Sequence, residues 1–268
     1  MPITLMCGTI GAMRLLTWNV AGRVKRRSEQ VAAVLGADAD VVALQEVTPT
    51  NAAGWVDDLE AAGYAVATTG AGPRPEGRRR LGVLTAARGG LAPVAAVEAP
   101  WPERVLVARV AQAEIWNVHS PIAPAPDLAK VRTHEALHAA LAAGSGARVL
   151  CGDLNTPRRE SPEGEVMTFA RDSRGHLRPE RGERWDRAEL ALVKGLEEHG
   201  WQDAFRTVHG YGRKEVSWAW AHGGGWRLDH VIVSPGVEVE SCEYVHEWRQ
   251  DGLSDHSGML AELRVGAQ

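Results

Sequence analysis

Short apolar runs, each closed by one or two polar residues, dominate the first half of the chain. Residues 14–19 (RLLTWN) predict a strand ending in Trp18-Asn19, and 40–44 (DVVAL) predict a buried strand followed by Gln45-Glu46. Further strands are predicted at 64–68, 81–86, 94–98, 105–110 and 114–119. The run 148–152 predicts a buried central strand, which leads into Asp153-Leu154-Asn155 before Pro157. Helical spacing appears in 28–35, with Ser28 as N-cap, in 51–62, opened by Asn51, in 127–143, and in 186–199, stopped by Gly200. The last third predicts strands near 216–220, 227–233, 238–246 and 258–265. Residues 156–185 hold three prolines, Pro157, Pro162 and Pro179, with little periodicity, so they read as a long functional or disordered connection. Many strands, few helices and no repeat or linker point to one α/β domain over 13–268. Residues 1–12, which precede Met13, read as a disordered extension.

The polar residues that close the strands are the chemically informative ones. Asn19, Glu46, His119, and Asp153 with Asn155 each follow an apolar run and can face one cleft. Asp153 and Asn155 are two apart, which along an extended chain sends both to the same side. A carboxylate accepts protons or binds a cation, while a carboxamide donates and accepts hydrogen bonds without titrating, a pairing suited to water and phosphate together. Asp229 sits in an alternating strand and Asp255-His256 follow a turn. Oxygen donors suit hard cations such as Mg²⁺; Glu46 is the best candidate ligand, with Asn19 and Asp255 beside it. A histidine next to Asp229 in space would make an oriented base or a charged phosphate clamp. Taken singly, each has a commonplace alternative: an exposed turn glutamate, a capping asparagine, a satisfied strand-end histidine.

Composition changes this picture little. With 44% hydrophobic and 24% charged residues the chain is an ordinary globular one, and its net charge of −4 excludes a uniformly basic coat but not a local basic face. Two arginine-rich stretches supply such faces: Arg23, Lys25, Arg26 and Arg27 against Glu29, and Arg74, Arg78, Arg79, Arg80 and Arg88 against Glu76. Arg26 and Arg79 are the candidate phosphate contacts from these stretches. Three scattered cysteines form no framework, and no apolar run is long enough to span a membrane, so a reducing cytoplasmic setting is expected.

The motifs WN (18–19), QE (45–46), NVHSP (117–121), GDLN (152–155), RLD (227–229) and SDH (254–256) occur in that order. Together they resemble the endonuclease/exonuclease/phosphatase superfamily from about Leu15 to Leu263. The resemblance implies a four-layered α/β sandwich of two packed, mainly antiparallel sheets flanked by helices. It also implies a phosphoesterase that uses Mg²⁺, with Mn²⁺ as a substitute, and in-line attack by water. It assigns Glu46 as principal metal ligand, with Asn19 and Asp255 completing or orienting the shell. Asp153 would position or deprotonate the water, and Asn155 would hold the phosphate. His256, paired with Asp229, would contact the phosphate or move a proton. His119, at a position where family members carry Tyr or His, would stabilise charge or protonate the leaving oxygen.

Residues 182–220, with GWQDAFR (200–206), Ser217-Trp218 and Trp220, resemble the exonuclease III type of DNA repair nuclease. That implies DNA as partner, cut at abasic sites or from 3′ ends, with Trp218 and Trp220 walling the pocket and Asp203–Arg206 as a structural pair. His119 and the segment Arg80-Leu81-Gly82-Val83 depart from that type. They leave a small or lipid-linked phosphoester as the second reading. A closed pocket formed by 156–185 would favour that reading, and a long basic groove would favour DNA.

Overall fold

A computed structural model describes residues 11–70, 79–94, 97–122, 125–220 and 222–266. In chain order the first half runs β1 (Gly11–Asn19), α1 (Arg27–Gly36), β2 (Val41–Val47), α2 (Ala52–Ala61), β3 (Ala65–Thr68), β4 (Gly82–Ala87), β5 (Ala92–Pro93), β6 (Val105–Val110) and β7 (Ala113–His119). Then come α3 (Ala129–Ala143), β8 (Ala147–Asp153), the hairpin β9 (Arg159–Glu160) and β10 (Val166–Met167), α4 (Gly182–Val193), β11 (Gln202–Asp203) and α5 (Ala204–His209). The chain closes with β12 (Trp218–Ala219), β13 (Gly225–Trp226), β14 (Asp229–Val233), β15 (Val237–Val245), α6 (Glu247–Gln250) and β16 (Gly258–Val265).

Two six-stranded sheets result, ordered β15-β16-β1-β2-β4-β3 and β11-β14-β8-β7-β6-β5. Pairing is antiparallel except for β1 with β2 and β7 with β8. The apolar runs in these strands are continuous because both faces are covered. Leu15, Val41, Ile115, Val149 and Cys151 pack between the sheets. Their neighbours Leu16, Val42 and Leu44 pack outward with Val34 of α1 and Trp55 and Leu59 of α2. On the far side Val118 and Leu150 pack with Leu137 of α3 and Leu192 of α4. This makes the four-layered α/β sandwich, and each fully buried Leu or Val contributes roughly 1.5–3 kcal/mol.

Several boundaries differ from the sequence pattern. β1 starts at Gly11, ahead of Met13, and the rest of the expected extension lies outside the described residues. Ser28 is not an N-cap, because α1 starts one residue earlier, at Arg27. Asn51 does precede α2, but its Oδ1 accepts from the N–H and hydroxyl of Thr48 at 2.8 and 2.9 Å, so it closes the turn before the helix. The predicted helix 186–199 is α4 plus a separate 3₁₀ turn, Gly195–His199, ended by Gly200 at φ 77°. Of 94–98, residues 95 and 96 lie outside the described residues and the other three are not strand; a two-residue strand, β5, lies just before them. The connection 156–185 carries its own order: the β9–β10 hairpin, a bridge between Arg171 and Leu177, and the first turn of α4. Cys151 and Cys242 are free and buried, and no helix among the described residues is long and apolar enough to cross a membrane.

Candidate active site

Register alone brings the polar strand ends together. β8 pairs with β7 and β14 so that His119 and Asp229 stand directly opposite Asp153 on either side. Gly152, at φ 123°, lets β8 turn Asp153 inward, and a Cβ there would lie 2.1 Å from the Val118 carbonyl. From the other sheet, β1 ends in Asn19, paired in register with Gln45. The β2–β4 register shifts between Gln45 and Val47, and Glu46 takes φ 59°. This bulge re-aims the carboxylate toward the cleft, the kind of strained backbone that collects at functional sites. Asn155 is brought in differently from the expected extended spacing. β8 ends at Asp153, and Asn155 takes φ 52° while its backbone N–H donates to Asp153 Oδ1 at 2.9 Å. Its Nδ2 then donates to the Ser120 carbonyl at 2.8 Å. His256 is held by Trp18 Nε1, which donates to its carbonyl at 3.0 Å, and by Ser254, whose hydroxyl accepts the His256 N–H and donates to the Asn19 carbonyl.

The side chains form one connected constellation. Asn19 Nδ2 donates to Asp153 Oδ2 at 3.0 Å and lies 3.4 Å from Glu46 Oε1, tying the two sheets. His119 Nε2 is 3.7 Å from Glu46 and 3.8 Å from Asp153. His256 Nε2 is 3.8 Å from Asp153, and His256 Nδ1 bonds Asp229 Oδ2 at 2.8 Å. Burial alone would discharge His256, but the Asp229 carboxylate, with Asp153 and Asp255 behind it, reverses this and raises its pKa to about 10. Burial pushes Asp153 up to about 7; the His256 imidazolium opposes this, the Asp229 carboxylate adds to it, and hydrogen bonds from Asn155 and Asn19 hold it down.

These residues fit a divalent cation. Asp153, Asp229 and His256 form one close acidic and histidine cluster, but His256 is protonated and committed to Asp229, so the trio is a charge pair facing a carboxylate. Glu46 is the better donor. Its nearest cationic and amide partners stand at 3.4–3.7 Å, leaving its oxygens room for a hard ion. Asn19 Oδ1 already accepts the Ala21 N–H at 2.9 Å, so its part is to brace the two carboxylates. Asp255 Oδ2 accepts from Trp218 Nε1 at 3.0 Å and lines the same cleft as Glu46.

That cleft has a volume of about 790 Å³ and is rimmed by Arg23, Lys25, Arg26 and Arg79. Arg26 is tied to Glu29 and to the Asp251 carbonyl. Arg79 donates to the Ala21 carbonyl at 2.8 Å and approaches Glu46 at 3.5 Å, so it spans the Glu46 side of the cleft. Arg74 and Arg78 lie outside the described residues. Trp218 stacks on Trp226 at 5.2 Å, and Trp220, 43% exposed, meets both edge-on. No residue of 156–185 lines this cleft.

The model of the endonuclease/exonuclease/phosphatase family matches residues 16–256. The chain belongs to this family. No curated protein matches it in a sequence comparison. Among solved structures it is similar to an AP endonuclease from Archaeoglobus fulgidus, with 20% identity and TM-score 0.71, covering 93% of this chain and 98% of that one. It is also similar to a 3′ phosphatase, NExo, from Neisseria, bound to a product DNA hairpin, with 21% identity, TM-score 0.67 and the same coverages. Humanized D. rerio TDP2 is similar at 14% identity and TM-score 0.65, over 94% of this chain and 98% of that one.

Sequence reasoning missed a supporting layer that this family member builds behind its motifs. Arg104 is buried with its Nη1 against the His119 ring. Fully buried Lys130 donates from Nζ to the Asn155 carbonyl at 2.7 Å and to Glu189 at 2.6 Å; Glu189 also accepts from Thr156, Trp185 and the Phe169 N–H. Burial pulls the Lys130 pKa down, and Glu189 opposes it. Between the sheets, Gln45 donates to Asn117 and Thr17, and Asn117 donates to the Leu84 carbonyl. The expected Asp203–Arg206 pair is indirect: Asp203 accepts the Arg206 N–H as a helix cap, Arg206 pairs with Glu160, and Arg227 joins Glu160 to Asp203. Only the "QE" and "NVH" motifs hinted at any of this, because burial of one lysine on a helix leaves no mark in a sequence.

Proposed function

We propose that this protein is a divalent-cation-dependent phosphodiesterase acting on DNA, as an abasic-site endonuclease or a 3′ exonuclease, by in-line attack of water. The observation that carries it is the position of Asp153. It is buried, within 3.8 Å of both His119 and His256, and braced by Asn19, whose amide also approaches Glu46 on the wall of the basic-rimmed cleft. Glu46, with Asp255 beside it and Asn19 as brace, would hold the ion, Mg²⁺ or Mn²⁺. When bound, that ion neutralises charge on the phosphate and the leaving oxygen. Asp153, at about 7, is poised to take the proton of the attacking water near neutral pH. His256, kept protonated by Asp229, and the Asn155 carboxamide face the non-bridging oxygens. His119 delivers a proton to the leaving oxygen.

The rim supports nucleic acid over the second reading. Four cations surround the cleft, and 156–185 does not roof it, so a long polyanion has access. Trp218, bonded to Asp255, and Trp220, edge-on against Trp218, offer an aromatic wall for a sugar or base. Duplexes carrying an abasic site, a recessed 3′ end or a nick, incubated with Mg²⁺ and with chelator, test the reading. Metal-dependent cleavage of at least one is expected. Folded protein that cleaves none of them, while hydrolysing a small phosphoester, would move the assignment to that second class.

A further inference from the structure

A second cavity, of about 290 Å³, shares no lining residue with the cleft. Three segments wall it: the β9–β10 hairpin region with Pro157, Arg158 and Arg159, the stretch Tyr211–Val216 after α5, and Gly225–Arg227. Trp226 is the shared wall, since it lines this cavity and stacks on Trp218, whose indole donates to Asp255 in the cleft.

The charge on this wall is unbalanced. Its two carboxylates are already engaged, Glu160 by Arg206 and Arg227, and Glu215 by His246. The Arg158, Arg159 and Lys214 side chains have no hydrogen-bond or ion-pair partner among the described residues, and Arg159 and Lys214 are exposed. Arg227, 4% exposed, spends Nε and Nη2 on Glu160 and Asp203, while its buried Nη1 has no partner. A molecule of net charge −4 thus concentrates three unpaired cations and one unsatisfied buried guanidinium N–H around a small, proline-stiffened cavity. Guanidinium forks match phosphate oxygens. The volume sits at the small end of ligand pockets, enough for one phosphorylated unit and too small for a duplex.

We propose that this cavity is a phosphate-binding site separate from the catalytic cleft, taking one phosphoester group. The group comes either from a free mononucleotide or from the phosphorylated end of a strand. The proposal concerns binding and does not depend on the cleft being a nuclease.

The test is an NMR titration of full-length, isotope-labelled protein in chelator, following the Trp226 indole N–H. The probes are inorganic phosphate, a nucleoside 5′-monophosphate, and one short DNA strand with and without a 5′-phosphate. Saturable shifts at Trp226 with phosphate and mononucleotide support the site and assign it a free ligand. Saturation by the phosphorylated strand alone supports it and assigns it a strand end. The variant Arg158→Gln/Arg159→Gln/Lys214→Gln is expected to weaken binding by about tenfold or more. If that variant does not fold, the exposed single change Lys214→Gln is read instead, with a loss of about twofold. The proposal is overturned by the absence of saturable shifts with every phosphate probe, by saturation with the DNA strand alone that is equal with and without its phosphate, or by unchanged affinity in the folded variant.

Discussion

Glu46 and Asp153 carry different loads although both are acidic strand-end residues. Glu46 is on a bulge, part-exposed and loosely partnered, whereas Asp153 is buried and hydrogen-bonded. Glu46→Ala should therefore lower Mg²⁺-dependent turnover on the order of 10²–10³-fold and weaken Mn²⁺ binding measured by electron paramagnetic resonance, with unchanged circular dichroism. Asp153→Asn should cost about 10²–10⁴-fold in kcat while leaving Mn²⁺ binding largely intact. Equal loss of ion binding in both would merge the two roles. The pH profile of kcat should be a bell. Its acid limb rises as Asp153 ionises, at or below about 7 because a bound cation favours the carboxylate, and its basic limb falls as His256 loses its proton toward about 10. A flat profile from pH 5 to 9, with chemistry rate-limiting, contradicts this assignment. Glu46 and Asp153 were legible as strand-end polar groups, and Asp229 and His256 as motif residues inside a strand and after a turn. Arg104 and Lys130 were not, since their importance comes from three-dimensional neighbours and not from any local pattern.

Strands and helices fix those residues through register and backbone conformation. Strand existence was readable because apolar runs such as 148–152 are continuous, and the two covering layers explain why. Exact ends were not, because they depend on pairing: Asp229 begins β14 opposite Asp153, and Trp218 pairs with Trp226 in a separate hairpin. Asn155 shows the same limit, since its place depends on a left-handed residue that two-residue alternation does not anticipate. Gly152→Ala should destabilise the fold by at least ~1–3 kcal/mol in urea denaturation, from positive φ and the Val118 contact. α3 and α4 are joined behind Asn155 by Lys130 and Glu189, each 1% exposed at the side chain. Lys130→Met leaves Glu189 buried without its cation and should cost ~3–5 kcal/mol, while Lys130→Met/Glu189→Leu should recover most of it. If the double variant is no more stable than the single one, the pair is not the source of the loss.

At the scale of the whole molecule, acid should unfold the protein through buried groups that take no direct part in the proposed chemistry. Burial holds His134 neutral, with a pKa of about 3, and the neighbouring Lys130 charge adds to this. Against the cost of burial, Arg227 and Arg206 hold Glu160 down to about 2, and Arg227 and His230 likewise depress Asp203. The unfolded chain protonates each of these first, so stability falls as pH drops, from 6.5 toward 3 for His134 and from about 4.3 toward 2 for Glu160. His256 works at the other end: its contribution is complete below 6.5 and is lost as pH rises through about 10. Urea midpoints should accordingly decline between pH 6 and 4, and His134→Asn should flatten that decline; a midpoint that rises over this interval contradicts it. The four-layered sandwich was expected from ordered motifs and the basic rim from two arginine-rich stretches, while the second cavity became visible only once distant segments were placed together. The central claim, cation-dependent phosphodiester hydrolysis at Glu46 and Asp153, is tested most directly by single-turnover cleavage of an abasic-site duplex. Wild-type protein should cleave in Mg²⁺, stop in chelator and resume on adding Mn²⁺, with Glu46→Ala and Asp153→Asn each slowed by at least about 10²-fold. Cleavage that continues in chelator, or at the wild-type rate in both variants, would contradict it.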